Sequence, residues 1–291
     1  MANQDPLSRS LHFHHASAFG VGGQIDRPEK QTIPTQAAIA LAPTGGKGSD
    51  RVENFKVPGV LSFSAAYVEV GGSLDDSHDT HTTYALSVVE DLNICDVVKA
   101  DRVVSRLTIY SGAKDAKSEP SFSLSGSHFE NLRIAGHSLD VKLGDLSQYD
   151  TYGSIDNNSE ANRWQLGSNI KDEDLNKEEV KRKLEHNLTI VSGVAKRFQQ
   201  WQSKTFNPAD RSFWCSAVER SNLEELIQKT DLMQFGGILC VPRFGVIYLA
   251  ELRIHRSHRH FNMIRVQMCS PGEGGITGGG TGGGGGSMPP P

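Results

Sequence analysis

The alternation of apolar and polar residues from Ala85 to Leu143 constrains this chain more than any other feature. An extended strand sends successive side chains to opposite faces, so a period of two marks a sheet with one face on a core. Leu86, Val88, Leu92 and Ile94 fall on one side of such a strand. Val103, Leu107 and Ile109 do the same after a polar reset at Lys99-Ala100-Asp101-Arg102. A tight turn at Ala135-Gly136-His137 then joins Leu132 and Ile134 to Leu139, Val141 and Leu143, with the glycine supplying a positive φ.

Extended sequence recurs on either side of this stretch. Leu11–Ile25 and Pro34–Ala42 read as strands, and the small residues on both faces of the second suit packing against another layer. Pro43–Ser49 is a loop by composition, and Arg51–Val70 is extended again with Leu61, Phe63, Ala65 and Tyr67 on one face. Gly71-Gly72 and the acidic run after it mark the next reversal. Toward the other end, Ile238–Val241, Val246–His255 and His260–Met268 form a three-stranded meander. In its middle strand, Glu251 and Arg253 leave one face for water.

Two segments break the period. Between Asp172 and Lys204, Val180, Leu184, Leu188, Val191, Ala195 and Phe198 recur at three and four residues, which predicts an amphipathic helix with a break point at Ser192-Gly193. Acidic residues crowd its start, and Lys196 and Arg197 lie near its end, as the helix dipole favours. The last twenty residues, GEGGITGGGTGGGGGSMPPP, carry no period and are expected to form a flexible tail outside the core. The chain therefore reads as mainly β, an antiparallel β-sandwich or flattened barrel with one amphipathic helical insertion at about 172–204. A single domain spans 11–270, between a flexible N-terminus at 1–10 and a disordered Gly/Pro tail at 271–291.

Composition narrows the partners. A net charge of −4 and a charged fraction of 22% leave no cluster of Lys and Arg to neutralise phosphates, so nucleic acid is not expected. No run approaches the roughly 20 apolar residues of a membrane helix. The first residues lack the pattern of a secretory signal, so a cytoplasmic location is expected, with export by a route lacking a classical signal left open. Cys95, Cys215, Cys240 and Cys269 form no C-x-x-C pair, and Cys95 and Cys240 read as buried thiols in strands.

Histidines invite a metal reading. His12, His14 and His15 cluster near the start, His78 and His81 flank an acidic loop, and His255, His258 and His260 surround a turn. On a strand, His12 and His14 point the same way, and so do His258 and His260. No H-E-x-x-H signature supports either pair, so neither metal nor cofactor is expected, and His258 and His260 stand as weak candidates. Asp75, Asp76 and Asp79 lack the spacing of a calcium loop, and Gly45–Ser49 lacks the first glycine and the hydroxyl residue of a phosphate loop. No G-x-S-x-G elbow is present.

Four blocks resemble a family of uncharacterised bacterial proteins: Asp50–Phe55, Ala100–Leu107, Gly126–Gly136, and Val241–Gly245 with Leu249–Leu252. The resemblance runs from about Ser17 to Gly275 and implies no activity, ligand or catalytic residue. ADRVVSRLT and SHFENLRIAG also look like repeats in secreted actinobacterial β-rich surface proteins. Asp101 and Arg102 suit a turn, whereas a functional reading gathers Arg102, Arg106, His128, Glu130, Asn131 and Glu251 in one polar cleft. Two functions follow as expectations. One is a non-enzymatic structural or binding module that self-associates or docks a protein partner through sheet edges. The alternative is a hydrolase or metal-dependent enzyme with a pocket at one end of the sheet.

Overall fold

The chain opens with long strands, β1 (Leu11–Ile25), β2 (Gln31–Ala40), β3 (Gly46–Val57), β4 (Leu61–Asp75), β5 (Thr80–Ile94) and β6 (Val98–Gly112). Short ones follow: β7 (Ser121–Ser123), β8 (His128–Glu130), β9 (Arg133–Ile134), β10 (His137–Ser138) and β11 (Val141–Leu143). Next come helix α1 (Glu178–Leu184), β12 (Ser212–Ser216), β13 (Val218–Ser221), helix α2 (Leu223–Lys229) and β14 (Met233–Phe235). The chain closes with β15 (Ile238–Val241), β16 (Gly245–His255), β17 (His258–Cys269) and β18 (Glu273–Met288). The structure, a computed structural model, describes residues 11–26, 30–75, 77, 79–112, 120–144, 146, 175–184, 187–193, 196, 212–235, 238–255, 258–269 and 273–288.

These strands form two antiparallel sheets. One runs β14-β15-β16-β17-β18-β1-β2 with β12 added beside β16, and the other runs β10-β9-β6-β5-β4-β3 with β7 and β8 also on β6. β11 and β13 pair apart from both. The sheets lie face to face, with β17 and β18 over β6, β18 and β1 over β5, β1 over β4, and β2 over β3 and β4. Each sheet ends in strands paired on one side only, so the molecule is a sandwich and not a barrel. The core between them includes Val21, Val68, Val89, Val103, Leu107, Ile247, Leu252 and Phe261.

The sequence places β1 and the β15-β16-β17 meander correctly. The turn after β9 also forms, with Ala135 at φ 52° and Gly136 at φ 82°, and Ile134 faces His137 across it. Two successive positive φ values give the type I′ geometry that matches strand twist. Elsewhere, turns fall where polarity did not mark them. Cys95-Asp96-Val97 joins β5 to β6, so Cys95 is a half-buried turn residue at φ 52°, whereas Cys240 is fully buried in β15. Gly71 and Gly72 lie within β4, not at a reversal, because Tyr84 and His14 occupy the space that their Cβ atoms would need.

The largest departure from simple alternation is a seam across both sheets. In the second sheet the ladder skips the line Asn54, Ser64, Asp91, Asp101, with flanking pairs Phe55–Phe63, Glu90–Arg102 and Leu92–Ala100. Asn131 extends this line, its Nδ2 donating to Asp101 Oδ2 at 2.6 Å. In the first sheet the skipped line is Ala37, Gly20, Gly279, Met263, Ala250. Alternate members have positive φ: Asn54 54°, Asp91 51°, Asn131 49°, Ala37 50°, Gly279 65° and Ala250 50°. At each crossing the strand exchanges faces. The inner side of β5 runs Thr83, Ala85, Ser87, Val89 and then Leu92, Ile94. Leu86 and Val88 therefore face outward, opposite to the side they share with Leu92 in strict alternation, and in β4 Tyr67 leaves the face of Leu61 and Phe63 for the same reason.

The glycine-rich end is not a tail over Glu273–Met288. β18 lies between β17 and β1 and pairs with both along its length. The ladder needs only backbone, and the neighbours supply the missing side-chain cover. A Cβ on Gly280 would lie 2.1 Å from the Phe19 ring, one on Gly282 2.9 Å from His260 Nδ1, and one on Gly283 2.7 Å from Ile109 Cδ1. Thr281 turns inward, its hydroxyl 3.0 Å from that of Ser105.

The helical insertion holds at α1, and residues 188–193, which include Ser192 and Gly193, are also helical, while 194 and 195 lie outside the described residues. Leu175, Leu184 and Val191 pack on Phe235, Ile238, Cys240, Val246 and Tyr248, which places the insertion across the outer face of the first sheet. Ala195 and Phe198 lie outside the described residues. α2 is unexpected from the sequence, since only Leu223 and Leu226 are buried in its seven residues. Among the described residues no helix is long and apolar enough to cross a membrane.

Candidate metal centre

The polar residues singled out from the sequence separate onto opposite faces. Arg102 and Arg106 point outward from β6, and β8 sets His128 and Glu130 beside them. Arg102 lies 3.9 Å from Glu90 and 4.0 Å from Glu130, and His128 Nε2 is 3.1 Å from Glu130 Oε1. All are about half exposed, as in ordinary cross-strand ion pairs. Asn131 bonds to Asp101 at the seam. Ser127 ties to the backbone of Arg106, whose amide donates to the Ser127 hydroxyl at 2.8 Å.

Glu251 does not join them. It sits on the outer face of the other sheet, fully buried, which corrects the expectation that it faces water, whereas Arg253 two residues on is half exposed as expected. Trp214 Nε1 donates to its Oε1 at 2.6 Å, Arg253 Nη2 at 2.8 Å and Arg265 Nη2 at 2.8 Å, while Arg265 Nε donates to Oε2 at 2.6 Å. The Arg265 guanidinium lies 3.5 Å from the Tyr248 ring centre and that of Arg253 4.9 Å from the Trp214 ring centre. Burial alone would raise the Glu251 pKa, but the hydrogen bonds and charges of Arg265 and Arg253 hold it below the usual carboxylate range. Trp214 comes from β12, a neighbour of β16 that the chain reaches only after the long insertion, so local sequence gives no sign of it.

The weak metal candidates His258 and His260 lie on the outer face of the first sheet. The ring of His258 is 5.4 Å from that of His15, and His260 leans over Gly282. Burial and then the charges of His258, Arg253 and His15 lower the His260 pKa.

A tighter cluster lies between the sheets at the same end of the sandwich. β1 points His12 and His14 inward, and β5 brings His81 against them. The His12 and His81 rings stack at 3.8 Å with planes 3° apart, and His14 stands edge-on at 4.9 and 5.5 Å. One ring nitrogen from each lies within 4.8 Å of the other two. His14 Nδ1 is 2.8 Å from Thr83 Oγ1, which leaves its Nε2 as the second site. His12 Nε2 and His81 Nδ1 are buried without a hydrogen-bond partner among the described residues. Burial, followed by the charges of His81 and His14, lowers the His12 pKa to about 4. Burial lowers His14 and His81 too, against a countering pull from Asp79 on His81. Three neutral imidazoles with ring nitrogens this close are the donor types that a transition metal takes.

Two of the three histidines are readable in the sequence, because parity puts His12 and His14 on one face. His81 is remote in sequence, and only the packing of β1 on β5 unites them. Asp76 and His78 lie outside the described residues. No curated protein and no solved structure matches the chain. The model of a domain of unknown function, DUF8256, does match over residues 12–255, most of the chain and every element of this cluster, and the chain belongs to that family.

Proposed function

We propose that this chain is a non-enzymatic binding module that pairs with a second copy of itself along β3. The observation that carries this reading is the outer side of β3: a proline-free strand that, among the described residues, pairs only with β4 at the end of the second sheet. Such a strand offers a row of backbone donors and acceptors to another chain. The neighbouring edge, β2, is blunted by Pro34 and by Asp50, whose Oδ2 accepts from the Ala38 amide at 2.9 Å.

β3 carries charges of both signs, Lys47, Asp50, Arg51, Glu53 and Lys56, which select a partner by complementarity. Antiparallel pairing about Val52 sets Arg51 opposite Glu53 of the second copy and Glu53 opposite its Arg51. A two-fold axis makes this contact self-complementary. Free thiols at Cys95 and Cys215 fit a reducing, cytoplasmic setting.

Light scattering on the full chain at rising concentration tests the reading. We expect passage from monomer to dimer, loss of the dimer in Arg51→Glu, and its recovery in Arg51→Glu/Glu53→Arg. A wild-type chain that stays monomeric throughout, or an Arg51→Glu variant that dimerises as well as wild type, overturns it.

A further inference from the structure

We propose that His12, His14 and His81 together bind one divalent transition-metal ion of the zinc class between the two sheets at the open end of the sandwich. The inference rests on side chains held between the sheets and does not depend on pairing along the outer edge of β3.

Four observations converge. First, the three side chains offer ring nitrogens within 4.8 Å of one another, and none of the three is a carboxylate. Imidazole donors suit zinc, copper, nickel and cobalt, whereas calcium and magnesium take oxygen. Bonds of about 2.0–2.1 Å in a tetrahedron put ligand nitrogens roughly 3.3 Å apart, and each lone pair lies in its ring plane, so closure asks for shifts of about 1 Å together with rotation of the stacked His12 and His81 rings out of their parallel planes. Second, His12 Nε2 and His81 Nδ1 are removed from water yet bonded to nothing described, a cost that an ion would offset. Third, Thr83 engages His14 Nδ1 and so orients Nε2, the role that a hydrogen-bond partner plays behind a metal-bound histidine. Fourth, the His14 ring rests in a cradle left by glycines. A Cβ on Gly72 would lie 2.7 Å from its Cγ, and one on Gly45 3.0 Å from its Cδ2.

Three histidines leave one tetrahedral position for water or another donor, as in open zinc sites and unlike closed four-ligand ones. Asp79, whose charge acts on His81, is a candidate for outer support. Because His12 and His14 belong to one sheet and His81 to the other, the ion would also join the two layers.

The test is titration of tag-free, chelator-stripped full-length protein with Zn²⁺ by calorimetry, alongside the visible absorption of bound Co²⁺. Wild type should bind one equivalent. His12→Gln and His81→Gln, which keep size and polarity, should each bind at least about tenfold more weakly, while His258→Gln on the outer face binds as wild type does. Gly72→Ala, which leaves all three ligands in place but crowds the His14 ring, should weaken binding as well. Circular dichroism reports whether each variant is folded, and only folded variants are compared. No zinc bound by wild type, or unchanged affinity in folded His12→Gln and His81→Gln, overturns the proposal; loss in His258→Gln alone assigns the ion to the outer histidines and overturns it too.

Discussion

Asp91 stands at φ 51° in the middle of a fifteen-residue strand, where an L-residue normally avoids that conformation. The left-handed region costs most side chains about 1–2 kcal/mol, less for Asn and Asp, which bond locally. Asn54, Asp91 and Asn131 at alternate crossings of the seam are chemically suited to it, and Gly279 pays nothing. Ala37 and Ala250 pay the cost and recover it by burial in the core. The usual rule for strands therefore reverses at Asp91. Valine, normally preferred over aspartate in a strand, should destabilise by about 1–2 kcal/mol as Asp91→Val, whereas Asp91→Gly should match or exceed wild type. Because Asp91 is exposed, packing does not confound the comparison, and urea midpoints decide it. A more stable Asp91→Val would mean that the seam does not cross β5.

At the scale of elements, what was legible depended on whether the physics was local. β1 and the meander follow from side-chain parity over ten or more residues, and the Ala135-Gly136 turn from its glycine. The seam escapes such reading because a single residue inverts the parity and nothing in Asp-Leu-Asn announces it. β18 escapes for a different reason: hydrophobic patterning is a property of side chains, and its glycines take theirs from Phe19, His260 and Ile109 on other strands. The same non-local logic hid His81 and Trp214 while leaving His12 and His14 visible. It also makes a graded prediction within one strand. Gly280→Ala would drive a methyl to 2.1 Å from Phe19 and should cost about 1–3 kcal/mol. At Gly275 the nearest atom to such a methyl is Val266 O at 3.6 Å, so Gly275→Ala should be neutral or gain up to about 1 kcal/mol from the less flexible unfolded chain. Thermal midpoints that fail to separate the two variants would remove β18 from the centre of the sheet.

For the molecule as a whole, the two outer faces carry charge in opposite ways. On the second sheet, Arg102, Glu90 and Glu130 stay in water and contribute little. On the first, Glu251 is withdrawn from water and held by residues of β12, β16 and β17, so its ionisation is coupled to the integrity of the sheet. Its carboxyl has a lower pKa folded than its ordinary value of 4.5. A depressed carboxylate stabilises the folded state fully above the unfolded pKa, and that contribution drains away as pH falls through the folded one. Removing the charge as Glu251→Gln leaves two guanidiniums facing each other beneath Trp214 and should cost about 3–5 kcal/mol at pH 7. Histidines such as His12 also bind protons more readily in the unfolded chain, so both proteins weaken below about pH 6.5. That loss is common to wild type and variant and cancels in their difference. Urea midpoints taken from pH 7 downward should therefore show a gap that is constant to about pH 5 and narrows below 4.5, as pH falls from the ordinary carboxyl value toward the lower one of folded Glu251. A gap independent of pH down to 3 would mean that Glu251 acts through shape alone, and that the clasp of Arg253 and Arg265 does not depend on its charge.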